Sequence, residues 1–155
     1  MNMELTGLED LVAQLRKRLS GPGCLISIDG VAGAGQKTLA DTVAGQFACQ
    51  LIEVDNTTDA AKLRAAVAAG QKKGHVIIAG ILMRRIWTAA GIQPDISIYV
   101  IPREDNSRRA FWEGILSKSM QEYLSELKAD LDKKTVEYHW KYHPIINADY
   151  LVEGI

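Results

Sequence analysis

The stretch Gly30-Val31-Ala32-Gly33-Ala34-Gly35-Gln36-Lys37-Thr38 holds the residue types in this chain best suited to chemistry. Glycines at 30, 33 and 35 let the backbone wrap tightly and turn its N–H groups toward one centre. An apolar run precedes the turn and a helical pattern follows it, so the turn opens a helix whose dipole adds positive potential. A concavity of this kind suits a phosphate group, and a tight structural turn is the plainer alternative. Lys37 is the one cation of the loop. It cannot ligate a metal, because an ammonium group has no lone pair, and a cation in the first turn of a helix is unfavourable unless an anion sits there. Lys37 therefore either neutralises phosphate directly or is simply solvated. Elsewhere, His139 and His143 are spaced four apart, but a metal pair wants a third ligand, and Trp140 stands where a zinc protease helix carries Glu. No metal ligand is assigned. Trp87, Trp112 and Trp140, with Tyr138 and Tyr142, read as packing residues rather than a base-stacking platform.

The segment Ile28 to Ala40, I-D-G-V-A-G-A-G-Q-K-T-L-A, resembles the P-loop of the uridine kinase-like branch of nucleoside and nucleotide kinases, whose usual form is I-D-G-x-x-G-x-G-K-[ST]-T-L-A. The likeness extends to HVIIAGIL, ISIYVIP and YHPIINADYLVEG further along the chain, although only the loop is a specific motif. The resemblance implies a nucleotide cofactor, ATP, cradled by Gly30, Gly33, Ala34, Gly35, Gln36, Lys37 and Thr38. It implies Asp55 as the base that accepts the acceptor hydroxyl's proton, with a surface aspartate capping the next turn as the alternative. It further implies a lid whose arginines, best matched by Arg108 and Arg109, clamp the phosphoryl group. Arg84, Arg85 and Arg103 are weaker candidates, since arginines on a helix surface are usually solvated.

Three departures bear on the activity. Gln36 occupies the place of the phosphate-gripping lysine, and Lys37 that of the magnesium-binding hydroxyl. A one-residue shift would restore Lys37-Thr38 as the usual pair but would lose both framing glycines to Val31 and Gln36, so the unshifted frame is preferred. Ala79 stands where relatives carry an acidic residue that orders magnesium and the acceptor. Magnesium is thus doubtful.

These residues need elements to position them. Leu8, Leu11, Val12, Leu15 and Leu19 predict an amphipathic helix over residues 7–19, capped by Thr6 with Glu9 and stopped at Gly21-Pro22-Gly23. Apolar runs predict strands at 24–28, 51–54, 75–79, 96–100 and 150–152. Helical patterns fill 37–50, 58–69 (capped by Thr57 or Thr58) and about 83–90, and most of 105–142, with a break near Gly114. Alternating strands and helices predict an α/β domain with a five-stranded parallel sheet and helices on both faces, and the resemblance implies that this is the three-layer P-loop NTPase fold. Residues 1–155 form one domain, with 1–22 as an N-terminal helix and turn packed on it.

Composition narrows the partners. The chain has 155 residues, 47% hydrophobic and 24% charged, with a net charge of -1, and neither half is basic, so nucleic acid is not the expected partner. No stretch approaches the roughly 20 apolar residues of a membrane span. Cys24 and Cys49 read as small buried hydrophobes in a reducing compartment, and the expectation is a cytoplasmic protein. The partners expected are a nucleotide and a small-molecule acceptor, with homo-oligomerisation left open. The function expected is phosphotransfer to a small-molecule hydroxyl or phosphate. The alternative is a catalytically impaired nucleotide-binding pseudoenzyme that acts through a protein partner.

Overall fold

A computed structural model describes residues 2–155. Its elements in chain order are β1 (Met3–Glu4), α1 (Leu8–Arg18), β2 (Leu25–Gly30), α2 (Gln36–Phe47), β3 (Gln50–Val54), α3 (Ala60–Gln71) and β4 (Val76–Gly80). There follow α4 (Met83–Ala90), β5 (Ile96–Ile101), α5 (Arg109–Ser117), α6 (Met120–Glu126), α7 (Asp130–Tyr142), α8 (Pro144–Asn147) and β6 (Tyr150–Glu153). No described helix is long and apolar enough to cross a membrane.

The sheet has six strands, not the five expected, in the order β1-β6-β5-β2-β4-β3, and every pairing is parallel. The added strand is β1. Its two residues are both exposed and carry no apolar alternation to read. They are extended because Met3 and Glu4 pair with Tyr150 and Leu151 on the open edge of β6. The Asn2 amide donates to the Ile145 carbonyl at 2.7 Å, and Leu5 is buried just beyond.

β2 is the centre of the sheet, and all six of its residues are buried, as expected of a parallel strand covered on both faces. One core cluster packs α1 and α2 (Leu11, Leu15, Leu39, Val43) against Ile26, Ile28, Ile77 and Ile98. A second packs α3 and α4 (Leu63, Val67, Met83, Trp87) against Leu25, Val76 and Ile78. From β2 the chain runs outward to β3 and back to β4, then crosses to β5 on β2's other side. The crevice where those connections diverge lies at the C-terminal end of β2, where open α/β sheets bind ligands.

Several local expectations change. At α1 the Thr6 backbone N–H and hydroxyl both donate to Asp10 rather than meeting Glu9. α3 is capped by Asp59, whose carboxylate accepts from the Lys62 N–H at 2.9 Å, and neither Thr57 nor Thr58 caps it. Residues 105–142 are not broken at Gly114, which lies inside α5. The breaks fall at Lys118-Ser119, where Ser119 caps α6, and at Leu127–Ala129 before α7. Gly114 has a packing purpose instead: a Cβ there would lie 2.5 Å from the Tyr123 ring. Cys24 and Cys49 are half-buried. Trp87 and Trp112 are buried as expected, whereas Trp140 is 49% exposed.

Candidate functional site

The glycine loop lies at that crevice, joining β2 to α2. Gly33 and Gly35 have φ of +82° and +107°, a region that an L side chain rarely adopts, so glycine is required at both. The Ala34 N–H donates to the Val31 carbonyl at 3.1 Å and so closes the turn instead of pointing outward. The first bond of α2 runs from the Leu39 N–H to the Gly35 carbonyl at 3.1 Å. The N–H groups of Gly35, Gln36, Lys37 and Thr38 thus lie ahead of the helix ladder, and no side chain caps them. They are donors in want of an acceptor.

Beside Gln36 and Lys37 lies a cleft of about 310 Å³, lined also by Ala32 and Gly33 of the loop, by Glu53 to Asp55 at the end of β3 and by Ala79 to Ile81 at the end of β4. Gln36 is buried, and its amide donates to the carbonyls of Val31 at 2.8 Å and Gly80 at 3.3 Å. It braces the loop against β4. Lys37 is exposed and reaches Glu53, with Nζ 3.1 Å from Oε1, and that contact raises the Lys37 pKa. Ala79 contributes no donor.

Asp55 lines the cleft, but its Oδ1 accepts from the Thr57 N–H at 2.8 Å and the Thr57 hydroxyl at 2.6 Å. Those bonds lower its pKa, the Thr57 hydroxyl most. Arg108 packs against the loop, its Cγ 3.2 Å from where a Gly33 Cβ would be. Its guanidinium pairs with Asp132 at 2.6 Å and lies over the Phe111 ring. Arg109 lies away from the cleft lining: it pairs with Glu113 at 2.9 Å, donates to the Pro102 carbonyl at 2.8 Å and lies over Trp112. Arg103 pairs with Asp105, while Arg84 donates to the Asn147 carbonyl at 2.6 Å. Thus the structure brings Gly33, Gln36, Lys37 and Asp55 together, with Arg108 against the loop at Gly33 and neither Arg108 nor Arg109 in the cleft lining.

Sequence reasoning passed over four contributors. Glu53 lies within the strand expected at 51–54, and strand alternation places it on the same face as Asp55. Asn106 donates to the Gly33 carbonyl at 2.9 Å. A Cβ on Gly154 would lie 2.4 Å from the Ala34 carbonyl oxygen, so the end of the chain packs on the loop. Asp29, the residue before Gly30, lies buried beneath the loop. Its carboxylate accepts from the Tyr138 hydroxyl, from the Gly30 N–H at 2.9 Å and from the Met83 N–H at 3.4 Å. Burial lifts its pKa to about 6. Register places Asp29 beside Tyr99, whose hydroxyl bonds His139 Nε2 at 2.7 Å. His139 Nδ1 donates to the Thr135 carbonyl, and burial lowers the ring's pKa to about 4. With both nitrogens engaged, His139 is a packing residue, and His143 ends the helix in a left-handed conformation at φ +47°. No signal in the sequence links residues 29 and 138.

No family model and no curated protein matches this chain. Among solved structures, one described as a possible uridine kinase from Bacillus stearothermophilus matches with a TM-score of 0.56 at 12% identity, over 94% of this chain and 97% of that one. A likeness at that identity establishes the fold alone: this chain shares the α/β arrangement of that structure.

Proposed function

We propose that this chain is a P-loop protein that binds ATP or a related nucleotide and is built for phosphotransfer to a small-molecule hydroxyl or phosphate. The observation that carries the reading is the set of uncapped N–H groups from Gly35 to Thr38, opening beside a cleft at the crevice of the sheet. The fold likeness to a possible uridine kinase supports the same class. In this reading Gly33, Gly35, Gln36 and Thr38 frame the phosphates, and the second oxygen of Asp55 serves the acceptor as base. A specific observation favours a second reading, a nucleotide-binding pseudoenzyme acting through a protein partner. Arg108 and Arg109 both hold their guanidinium groups in ion pairs, and Ala79 offers the acceptor nothing. Calorimetric titration with ATP, ADP and GTP, with and without magnesium, tests the binding. Gly35→Val should abolish it, because a side chain at φ +107° distorts the loop. Equal affinity in wild type and variant refutes the reading. Absence of turnover across nucleosides, nucleotides and sugars selects the pseudoenzyme.

A further inference from the structure

Among the described residues Lys37 is the only cation lining the cleft, and it is held by a carboxylate. Glu53 is the register partner of Ala79 across β3 and β4, so the two side chains project from the same face of the sheet. The Lys37 ammonium therefore comes to rest on the strand next to Ala79, with side-chain exposures of 69% and 59% for the Lys37–Glu53 pair. Apart from the second oxygen of Asp55, the Gln36 and Asp55 side chains are committed. The Gln36 amide bonds two backbone carbonyls, and Asp55 holds its own turn. This donor set does not fit a divalent metal. A lysine has no lone pair, alanine has no ligand atom, the Glu53 carboxylate is in an ion pair and Asp55 has only its second oxygen free, far fewer oxygen ligands than such a metal takes. A polyphosphate entering such a site still needs positive charge beside it.

We infer that Lys37 is the counter-ion of bound phosphate in place of a divalent metal, and that Glu53 is its resting partner, an anion the incoming polyphosphate must displace. The inference rests on the nucleotide-binding reading and names the ligand form that this site takes: the metal-free nucleoside triphosphate. Exposed ion pairs are weak, so the exchange from carboxylate to phosphate meets little resistance. Glu53 then acts against the ligand twice, by holding Lys37 and by placing a negative charge in the cleft.

The test is calorimetry with ATP in excess EDTA and again in magnesium, on wild type, Glu53→Gln, Lys37→Ala and the double variant. Both side chains are exposed, and thermal melts confirm that each variant is folded. Wild type should bind at least as well in EDTA as in magnesium. Glu53→Gln should tighten metal-free ATP by roughly three- to tenfold, and Lys37→Ala should weaken it by about tenfold, the scale of one charge-assisted contact. In the double variant part of the gain from Glu53→Gln should vanish, since that part acts through Lys37. Collapse of wild-type affinity in EDTA, or weaker binding by Glu53→Gln in magnesium alone, overturns the inference and makes Glu53 a metal-ordering group. Absence of wild-type binding under both conditions overturns the nucleotide-binding reading itself.

Discussion

Replacing one member of the buried Asp29 and His139 cluster should reveal a pH dependence that the wild-type protein hides. Burial raises the Asp29 carboxyl from 3.8 to about 6, against the opposing bonds from Tyr138, Gly30 and Met83. Burial lowers the His139 imidazole from 6.5 to about 4, against the Thr135 carbonyl. Between those limits the unfolded chain carries its proton on His139 and none on Asp29, whereas the folded chain carries it on Asp29 and none on His139. The proton counts match, so the two groups together add almost no slope to stability. Each group is displaced by a little over two pH units, equivalent to about 3 kcal/mol. Asp29→Asn leaves only His139. The unfolded chain then binds a proton that the folded chain rejects, and stability falls by about that amount as pH drops from 6.5 to 4. His139→Gln leaves only Asp29. The folded chain then binds the proton more tightly, and stability rises by a similar amount as pH drops from 6 to 4. Urea unfolding of the three proteins across this range, with the wild-type profile subtracted, cancels the groups common to all. Variant profiles that run parallel to wild type would refute the reasoning.

Gly114→Ala should lower stability by about 1–3 kcal/mol, since its Cβ would meet the Tyr123 ring at 2.5 Å while that hydroxyl is tied to the Phe111 carbonyl. An unchanged unfolding midpoint would count against this packing account. Arg109→Ala should cost about 1–2 kcal/mol of stability and leave turnover nearly intact, because its guanidinium serves Pro102 and Glu113. If the domain is an active kinase, Asp55→Asn should cut turnover by roughly 10² or more with little change in nucleotide affinity. A turnover loss in Arg109→Ala without loss of stability would instead support a lid role for that residue.

Much of this arrangement was legible because it is local. Strand and helix positions follow from apolar periodicity, and α4 occupies the predicted residues 83–90. The glycine turn between an apolar run and a helical pattern located the cleft. Local competition accounts for the misplaced caps: Asp10 and Asp59 lie within one turn of Thr6 and Thr58, and a carboxylate is an equally good acceptor. The guanidinium partners of Arg108 and Arg109 were not legible. Asp132 lies 24 residues from Arg108, and Pro102 reaches Arg109 only through the turn between β5 and α5.

The amino-acid sequence by itself determined the alternation of strands and helices, the parallel sheet and the backbone path at Gly33 and Gly35, since each depends on residues within a few positions. Tertiary structure alone decided that Met3–Glu4 is a strand, that Glu53 faces Lys37 beside Ala79, and that Asp29 meets Tyr138 across 109 residues. The reason is that register and edge pairing arise only when the sheet assembles. No local pattern encodes which distant side chain will then stand opposite.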